Sequence, residues 1–174
     1  AAAVVRESYP REAVSHALRI LGEGQLRLTK FLVVTDQDVP LQDFKSLMEK
    51  VLERFDPADD LIILPNTSND TLDYTGRRLN HGSKAILIGT GRKKRTLPDT
   101  YQGPELQGVH HIATFGKGIL VLETASFQQQ PNLANQLLAQ YQEKLNNWPI
   151  ICLVDSIQAV QDQTSFLWTV FTRF

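Results

Sequence analysis

The stretch LVVTDQDVPLQDFKSLMEKVLERF, Leu32 to Phe55, contains a complete strand-then-helix unit. An apolar run opens it, starting one residue earlier at Phe31, and a polar turn follows. Leu41, Phe44, Leu47, Met48, Val51, Leu52 and Phe55 then recur at helical spacing until Pro57 stops the stripe. The unit is written a second time near the end of the chain. Placing Phe174 over Phe55 pairs Asp36 with Asp155, Gln42 with Gln161, Asp43 with Asp162, Ser46 with Ser165, Val51 with Val170 and Arg54 with Arg173. Two such units share a pattern for physical reasons, so the match is weak testimony for duplication. It bears more on the last helix, whose Phe166, Leu167, Val170, Phe171 and Phe174 share one face with no cap or polar tail after them. With a start at Ala1-Ala2-Ala3 and no initiator Met, this pattern is read as that of a piece of a longer protein.

Five runs are apolar throughout: Phe31 to Val34, Leu61 to Leu64, Ala85 to Ile88, Ile119 to Leu122 and Ile150 to Val154. Runs without polar alternation suit strands covered on both faces. Val4-Val5 and His111 to Thr114 are candidate extra or edge strands. Helical stripes lie between them: one from Pro10 through Ala13, Ala17 and Leu21, one over Leu41 to Phe55, one from Pro131 to Leu145, and one from about Asp162. The expectation is a single domain over residues 1–174, an α/β fold built as a three-layer α/β/α sandwich with a mainly parallel central sheet of five to seven strands. The segment Asn66 to Gly118 has one clear strand within long irregular stretches, and loops of that length generally carry function.

The charges nearly cancel, 18 basic against 19 acidic residues, which argues against a nucleic-acid partner. Cys152 stands alone inside an apolar run and reads as a buried strand thiol in a reducing compartment. No apolar stretch approaches the roughly 20 residues that span a bilayer, and the start lacks the pattern of a signal peptide. A cytoplasmic location follows as the expectation.

Several segments invite a chemical reading. Thr35-Asp36-Gln37-Asp38 ends a strand, where open α/β sheets place ligands, so its carboxylates can hold a hard metal ion or cap the following helix. Ile88-Gly89-Thr90-Gly91-Arg92 resembles a glycine loop for a dinucleotide, but Arg92 to Arg95 leads into Thr96-Leu97-Pro98, a poor helix start, and the fingerprint fails. Those four basic residues read as a solvated loop, or as a contact for a phosphate or an acidic partner. His110-His111 lacks further ligands at metal spacing, and His16 and His81 are isolated. The loop Asn66 to Lys84 is the expected ligand-facing segment.

Ser8-Tyr9-Pro10-Arg11-Glu12-Ala13, Thr29 to Asp38, and Arg54-Phe55-Asp56-Pro57-Ala58-Asp59-Asp60 occur in an order that resembles the C-terminal domain of UbiD-type decarboxylases, close to the 3-polyprenyl-4-hydroxybenzoate carboxy-lyase branch. Gly82-Ser83-Lys84-Ala85-Ile86, Arg95-Thr96-Leu97-Pro98, Gly103-Pro104 and Phe166 to Phe174 extend the resemblance over nearly the whole chain. It implies a parent lyase that removes or adds a carboxylate on an aromatic or unsaturated acid, in quinone biosynthesis if it is the polyprenyl branch. The implied cofactors are prenylated FMN with a divalent metal, manganese or magnesium, and potassium at the flavin phosphate.

On this resemblance the catalytic residues and metal ligands belong to a preceding N-terminal flavin-binding domain, so this chain alone is expected to be inactive. Its own part is to wall and close the cleft. Asn69, Thr71, Leu72 and Tyr74 correspond to a family loop near the substrate, and Lys84, with Thr29 and Lys30, is a candidate for the cofactor phosphate. The implied partners are the flavin-binding domain, further copies in a homo-oligomer, and the prenyltransferase that supplies the cofactor. The stretch Ile86 to Gly91 departs from a family form that often carries an acidic residue, which leaves the substrate open. Two readings of another class stand beside this one: a non-enzymatic nucleotide- or flavin-binding module using Gly89 to Lys94, and a subunit-assembly module.

Overall fold

Every apolar run of the sequence becomes a strand in the computed structural model, which describes all residues except Tyr74, Thr75, Arg77, Arg173 and Phe174. The strands are β1 (Ala2–Val4), β2 (Phe31–Thr35), β3 (Leu61–Ser68), β4 (His81–Gly89), β5 (Val109–Thr114), β6 (Ile119–Thr124) and β7 (Ile150–Val154). The helices are α1 (Glu12–Gly22), α2 (Phe44–Leu52), α3 (Pro57–Asp60), α4 (Leu133–Leu145) and α5 (Gln163–Thr172). The chain forms two compact units, Ala1–Thr96 and Leu97–Phe174.

The expected single, mainly parallel central sheet is corrected. Among the described residues there are two sheets, a four-stranded one in the order β1-β2-β4-β3 and a three-stranded one in the order β5-β6-β7. In the first, β1, β2 and β4 are parallel while β3 runs antiparallel to β4. In the second, β5 and β6 are antiparallel and β6 and β7 parallel. The reason lies in the connections. A parallel return needs a crossover of a dozen or more residues, normally a helix, whereas a direct return gives an antiparallel pair. Among the described residues no helix separates β3 from β4 or β5 from β6, and the second turn is tightened by Gly116 and Gly118 with φ of 73° and 81°.

In the first unit, successive side chains of β2 and β4 alternate between faces. Leu32, Val34, Ile86 and Ile88 meet Ala13, Ala17 and Leu21 of α1 in a buried cluster. Helix α2 packs against β2 and β4 with Leu47, Met48, Val51 and Leu52 buried. Helix α1 starts at Glu12 rather than at the expected Pro10, because Arg11 takes a left-handed conformation with φ of 69° just before it. In the second unit, Leu120 and Leu122 of β6 meet Leu133, Leu137 and Leu145 of α4 and Trp148. Phe166 of α5 stacks on Phe115, centroids 3.8 Å apart.

The two related strand-helix segments share one local device. Asp43 accepts from the Ser46 amide at 3.1 Å and the Ser46 hydroxyl at 2.6 Å, and Asp162 accepts from the same two groups of Ser165 at 2.9 and 2.8 Å. Each carboxylate satisfies an amide that the first helical turn leaves unpaired.

Where β4 ends, Gly89 lies against the backbone of α2. A Cβ added there would stand 2.7 Å from the carbonyl oxygen of Val51, a backbone atom that cannot swing aside. Gly89→Ala is therefore expected to cost about 1–3 kcal/mol of stability, read as a lower denaturation midpoint. Gly22→Ala, with nothing within 4 Å of the added carbon, is expected to be neutral or stabilising; equal effects of the two substitutions would contradict this packing.

Candidate functional site

Strand alternation places Lys84 on the same face of β4 as Ile86 and Ile88, a position where a core residue is expected. Lys84 is 5% exposed. A buried ammonium must find acceptors, and Lys84 Nζ donates to the backbone carbonyl of Thr29 at 2.8 Å and to Asn69 Oδ1 at 3.5 Å. Burial pushes its pKa below the ordinary lysine range, and the Asp73 charge partly opposes this.

Asn69 is the centre of the arrangement and is itself buried. Its Nδ2 donates to Asp73 Oδ2 at 2.8 Å and to the Ser83 carbonyl at 3.3 Å. The other oxygen of Asp73 accepts from Lys30 Nζ at 3.3 Å. The Lys30 ammonium also lies 5.7 Å from the centroid of the Phe31 ring. Two features of the β3–β4 connection allow this. Gly82 leaves room for the Asn69 amide, whose Nδ2 would be 2.5 Å from any added Cβ. Asn80 adopts φ of 57° and donates from its side chain to the Asn69 carbonyl at 2.9 Å, closing the hairpin.

The structure thus brings Lys84, Lys30, Asn69 and the Thr29 carbonyl together. Thr71 and Leu72 sit on the same loop, where Asp70 accepts from the Leu72 amide at 2.9 Å and the Thr71 hydroxyl at 3.4 Å. Leu72 is 73% exposed, so these two form a surface beside the cluster. Tyr74 lies outside the described residues. Asp73 was missed by sequence reasoning. The available signal was an acidic residue four positions after Asn69, in the loop between β3 and the lysine-bearing β4.

The cluster lies where β2 and β4 begin, whereas the carboxyl ends of these strands are filled from within. Buried Arg54 donates there to Gly91 O at 2.9 Å, Lys50 O at 2.7 Å, Gln37 Oε1 at 2.9 Å and Glu53 Oε2 at 3.1 Å. Asp36 accepts from the Gly91 amide at 2.8 Å and from Gln37 Nε2 at 2.7 Å. It does not cap α2, as Asp43 does. Arg92, Lys93 and Lys94 are exposed, as the solvated-loop reading expects, and Lys93 pairs there with Glu53 at 2.7 Å and Lys94 with Asp60 at 2.6 Å.

Asp60, which also accepts from Arg11 at 2.7 Å, is buried. Desolvation works most strongly against its ionised form, yet Lys94, the Asp56 amide and Arg11 together hold its pKa below the usual range. Glu53 is likewise held low by Lys93 and Arg54 against desolvation. Among the described residues no group of three or more His, Cys, Asp or Glu side chains could hold a metal ion. His111 meets Glu123 at 2.8 Å, His16 lies 3.6 Å from Glu12, and burial raises the Cys152 thiol to about 12. Among the described residues no helix is long and apolar enough to cross a membrane. The second unit has two shallow clefts, of about 290 Å³ beside Gly108 and Leu133 and about 390 Å³ beside Tyr101 and Trp148. The first is lined by no charged side chain, and the second by Asp99, Glu143 and Lys144.

Residues 1–89 match the family described as the 3-octaprenyl-4-hydroxybenzoate carboxy-lyase C-terminal domain. A Chlamydia pneumoniae protein whose name makes it one subunit of a 4-hydroxybenzoate decarboxylase is 51% identical over 173 residues, which is 99% of this chain and 29% of that relative. The chain therefore spans less than a third of the length of that curated relative. Among solved structures, a UbiD-class enzyme of Pelotomaculum thermopropionicum in complex with FMN aligns with a TM-score of 0.47 at 16% identity, covering 62% of this chain and 23% of that one. The closed form of a Sedimentibacter hydroxybenzoicus vanillic acid decarboxylase aligns with a TM-score of 0.47 at 18% identity, covering 80% and 25%.

The lowered Lys84 pKa fixes the sign of a pH dependence. Because the folded pKa is lowered, the unfolded chain holds more protons between that value and about 10.4, and stability gains from Lys84 as pH rises through this window. The stability of the unsubstituted chain relative to Lys84→Met is expected to increase between neutral pH and about pH 10.4 in denaturant titrations. A flat or falling difference would contradict the burial of the charge.

Proposed function

Given that the chain belongs to the family of 3-octaprenyl-4-hydroxybenzoate carboxy-lyase C-terminal domains, we propose that it is the cleft-closing domain of a prenylated-FMN-dependent decarboxylase of aromatic or unsaturated acids. The observation that carries this reading is the convergence of Lys84 and Lys30 with Asn69 on one partly buried place. Two ammonium groups with an amide between them form a site for a phosphate, the charged end of a flavin mononucleotide. The flavin, when bound, supplies the electron sink for loss of carbon dioxide.

The residues of this chain bind and enclose. Lys84 and Lys30 hold the phosphate, with Thr29 keeping Lys84 in place through its carbonyl, and Asn69 orients both the loop and the lysine. Thr71 and Leu72 present a polar and an apolar group to the substrate side, where closure excludes water from the reacting carbon. The proton-handling residues, the manganese or magnesium ion and potassium belong to the preceding flavin-binding domain, with which this domain pairs in a homo-oligomer. A flavin prenyltransferase is the source of the cofactor. The name of the Chlamydia pneumoniae relative supports a hydroxybenzoate-type substrate, and its polyprenyl form would place the enzyme in quinone biosynthesis, in the cytoplasm and peripheral to the membrane. The alternative of a mononucleotide module built on Gly89 to Lys94 draws less support, since Gly91, Lys93 and Lys94 are already engaged with Asp36, Glu53 and Asp60.

The test is made in the parent enzyme. Losing a charge-assisted hydrogen bond worth about 1.5–3 kcal/mol, the Lys84→Ala parent is expected to bind FMN roughly ten- to a hundredfold more weakly and to release carbon dioxide more slowly at limiting cofactor. Unchanged flavin affinity and turnover would remove Lys84 from the cofactor site.

A further inference from the structure

Asp73 supplies an anion to a place that already holds two cations, and its ion pair is longer than two other lysine pairs of the same unit. The Lys94–Asp60 and Lys93–Glu53 pairs are 2.6 and 2.7 Å long, whereas Lys30 Nζ stands 3.3 Å from Asp73 Oδ1. The two side chains of the longer pair remain 20% and 12% exposed, so solvent and small solutes reach it. The second Asp73 oxygen is held by Asn69 Nδ2, and the same amide turns its oxygen towards Lys84. Asn69 thereby links the acid to Lys84, while Lys30 meets the acid directly.

Resting on the phosphate reading above, we propose that Asp73 is the built-in counter-anion of the Lys30–Lys84 site, and that a phosphate monoester binds by exchanging with its carboxylate. Two partly buried ammonium groups without an anion would carry a heavy desolvation cost. Asp73 relieves part of that cost when no ligand is present. A phosphate dianion outcompetes one carboxylate because it carries more charge and more acceptor oxygens. A single carboxylate does not, so Asp73 keeps the acid substrates of a decarboxylase out of the phosphate position. Asp73 is a specificity-determining residue that acts on the ligand through charge.

The 174-residue chain is titrated at constant ionic strength and about pH 8, where phosphate is a dianion, with inorganic phosphate, FMN and riboflavin, and the Asn69 side-chain amide and the Asp73 carboxylate carbon are followed by NMR. Phosphate and FMN are expected to move both signals and riboflavin neither, which separates a phosphate contact from a ring contact. Asp73→Asn removes one repelling charge at short range and is expected to tighten phosphate binding roughly three- to tenfold. Lys30→Gln is expected to weaken it, and Glu23→Gln, an equal change of net charge at the surface pair with Arg19, to alter it by less than about twofold.

Unchanged or weaker phosphate binding in folded Asp73→Asn would overturn the proposal. So would an Asp73 carbon that stays still in the unsubstituted chain while phosphate saturates the Asn69 amide, a readout that does not depend on the variant folding. That last result would leave the phosphate reading intact, whereas phosphate moving neither signal would overturn both.

Discussion

The burial of one ammonium group, that of Lys84, constrains everything around it. A lysine at a core position of β4 is tolerated only if acceptors meet it, and each acceptor carries a structural requirement of its own. The Thr29 carbonyl must end the segment before β2, so that segment has to lie level with Lys84, as the parallel pairing of Phe31 with Ala85 makes it. The Asn69 amide must fold back over β4, which needs glycine at position 82 and the left-handed Asn80 at the hairpin's return. Asp73 and Lys30 then set a second charged pair beside it. The antiparallel course of β3 is what delivers this loop to the starts of β2 and β4.

The segments that resemble the decarboxylase family divide into two kinds. Arg11, Arg54, Asp59 and Asp60 belong to the frame: Arg11 joins α1 to α3 through Asp60 and the Asp59 carbonyl, and Arg54 closes the carboxyl ends of β2 and β4 against the Gly91 loop. These side chains are mostly engaged with backbone or with one another, which makes them poor ligand groups and good fixings. Lys30, Lys84 and Asn69 are the other kind, polar groups collected at one partly open place.

Strand positions were legible in the sequence because an uninterrupted apolar run has few alternatives, whereas the capping role of Asp43 and Asp162 was missed although both stand three residues before a serine. Strand direction was not legible. Leu61 to Leu64 and Ala85 to Ile88 look alike whether they run together or opposed, and only the helix-free connection between them decides it. Asp36 was misread because a carboxylate before a helix has several local partners, and here the distant Gly91 amide takes it instead. Lys84, Lys30, Thr29 and Asn69 were singled out through the family resemblance rather than through any pattern of their own, and the fold brings them together. Asp73 escaped because its role arises only once residues 43 positions apart are folded together, a pairing no local pattern records.

That this domain offers two lysines to a phosphate is tested most directly by a structure of the flavin-loaded parent with its cleft closed. The prediction is that Lys84 and Lys30 Nζ both lie within about 3 Å of phosphate oxygens, with the Asp73 carboxylate withdrawn from Lys30. Lysines still bound to the Thr29 carbonyl and to Asp73, with the phosphate held entirely by other residues, would contradict it.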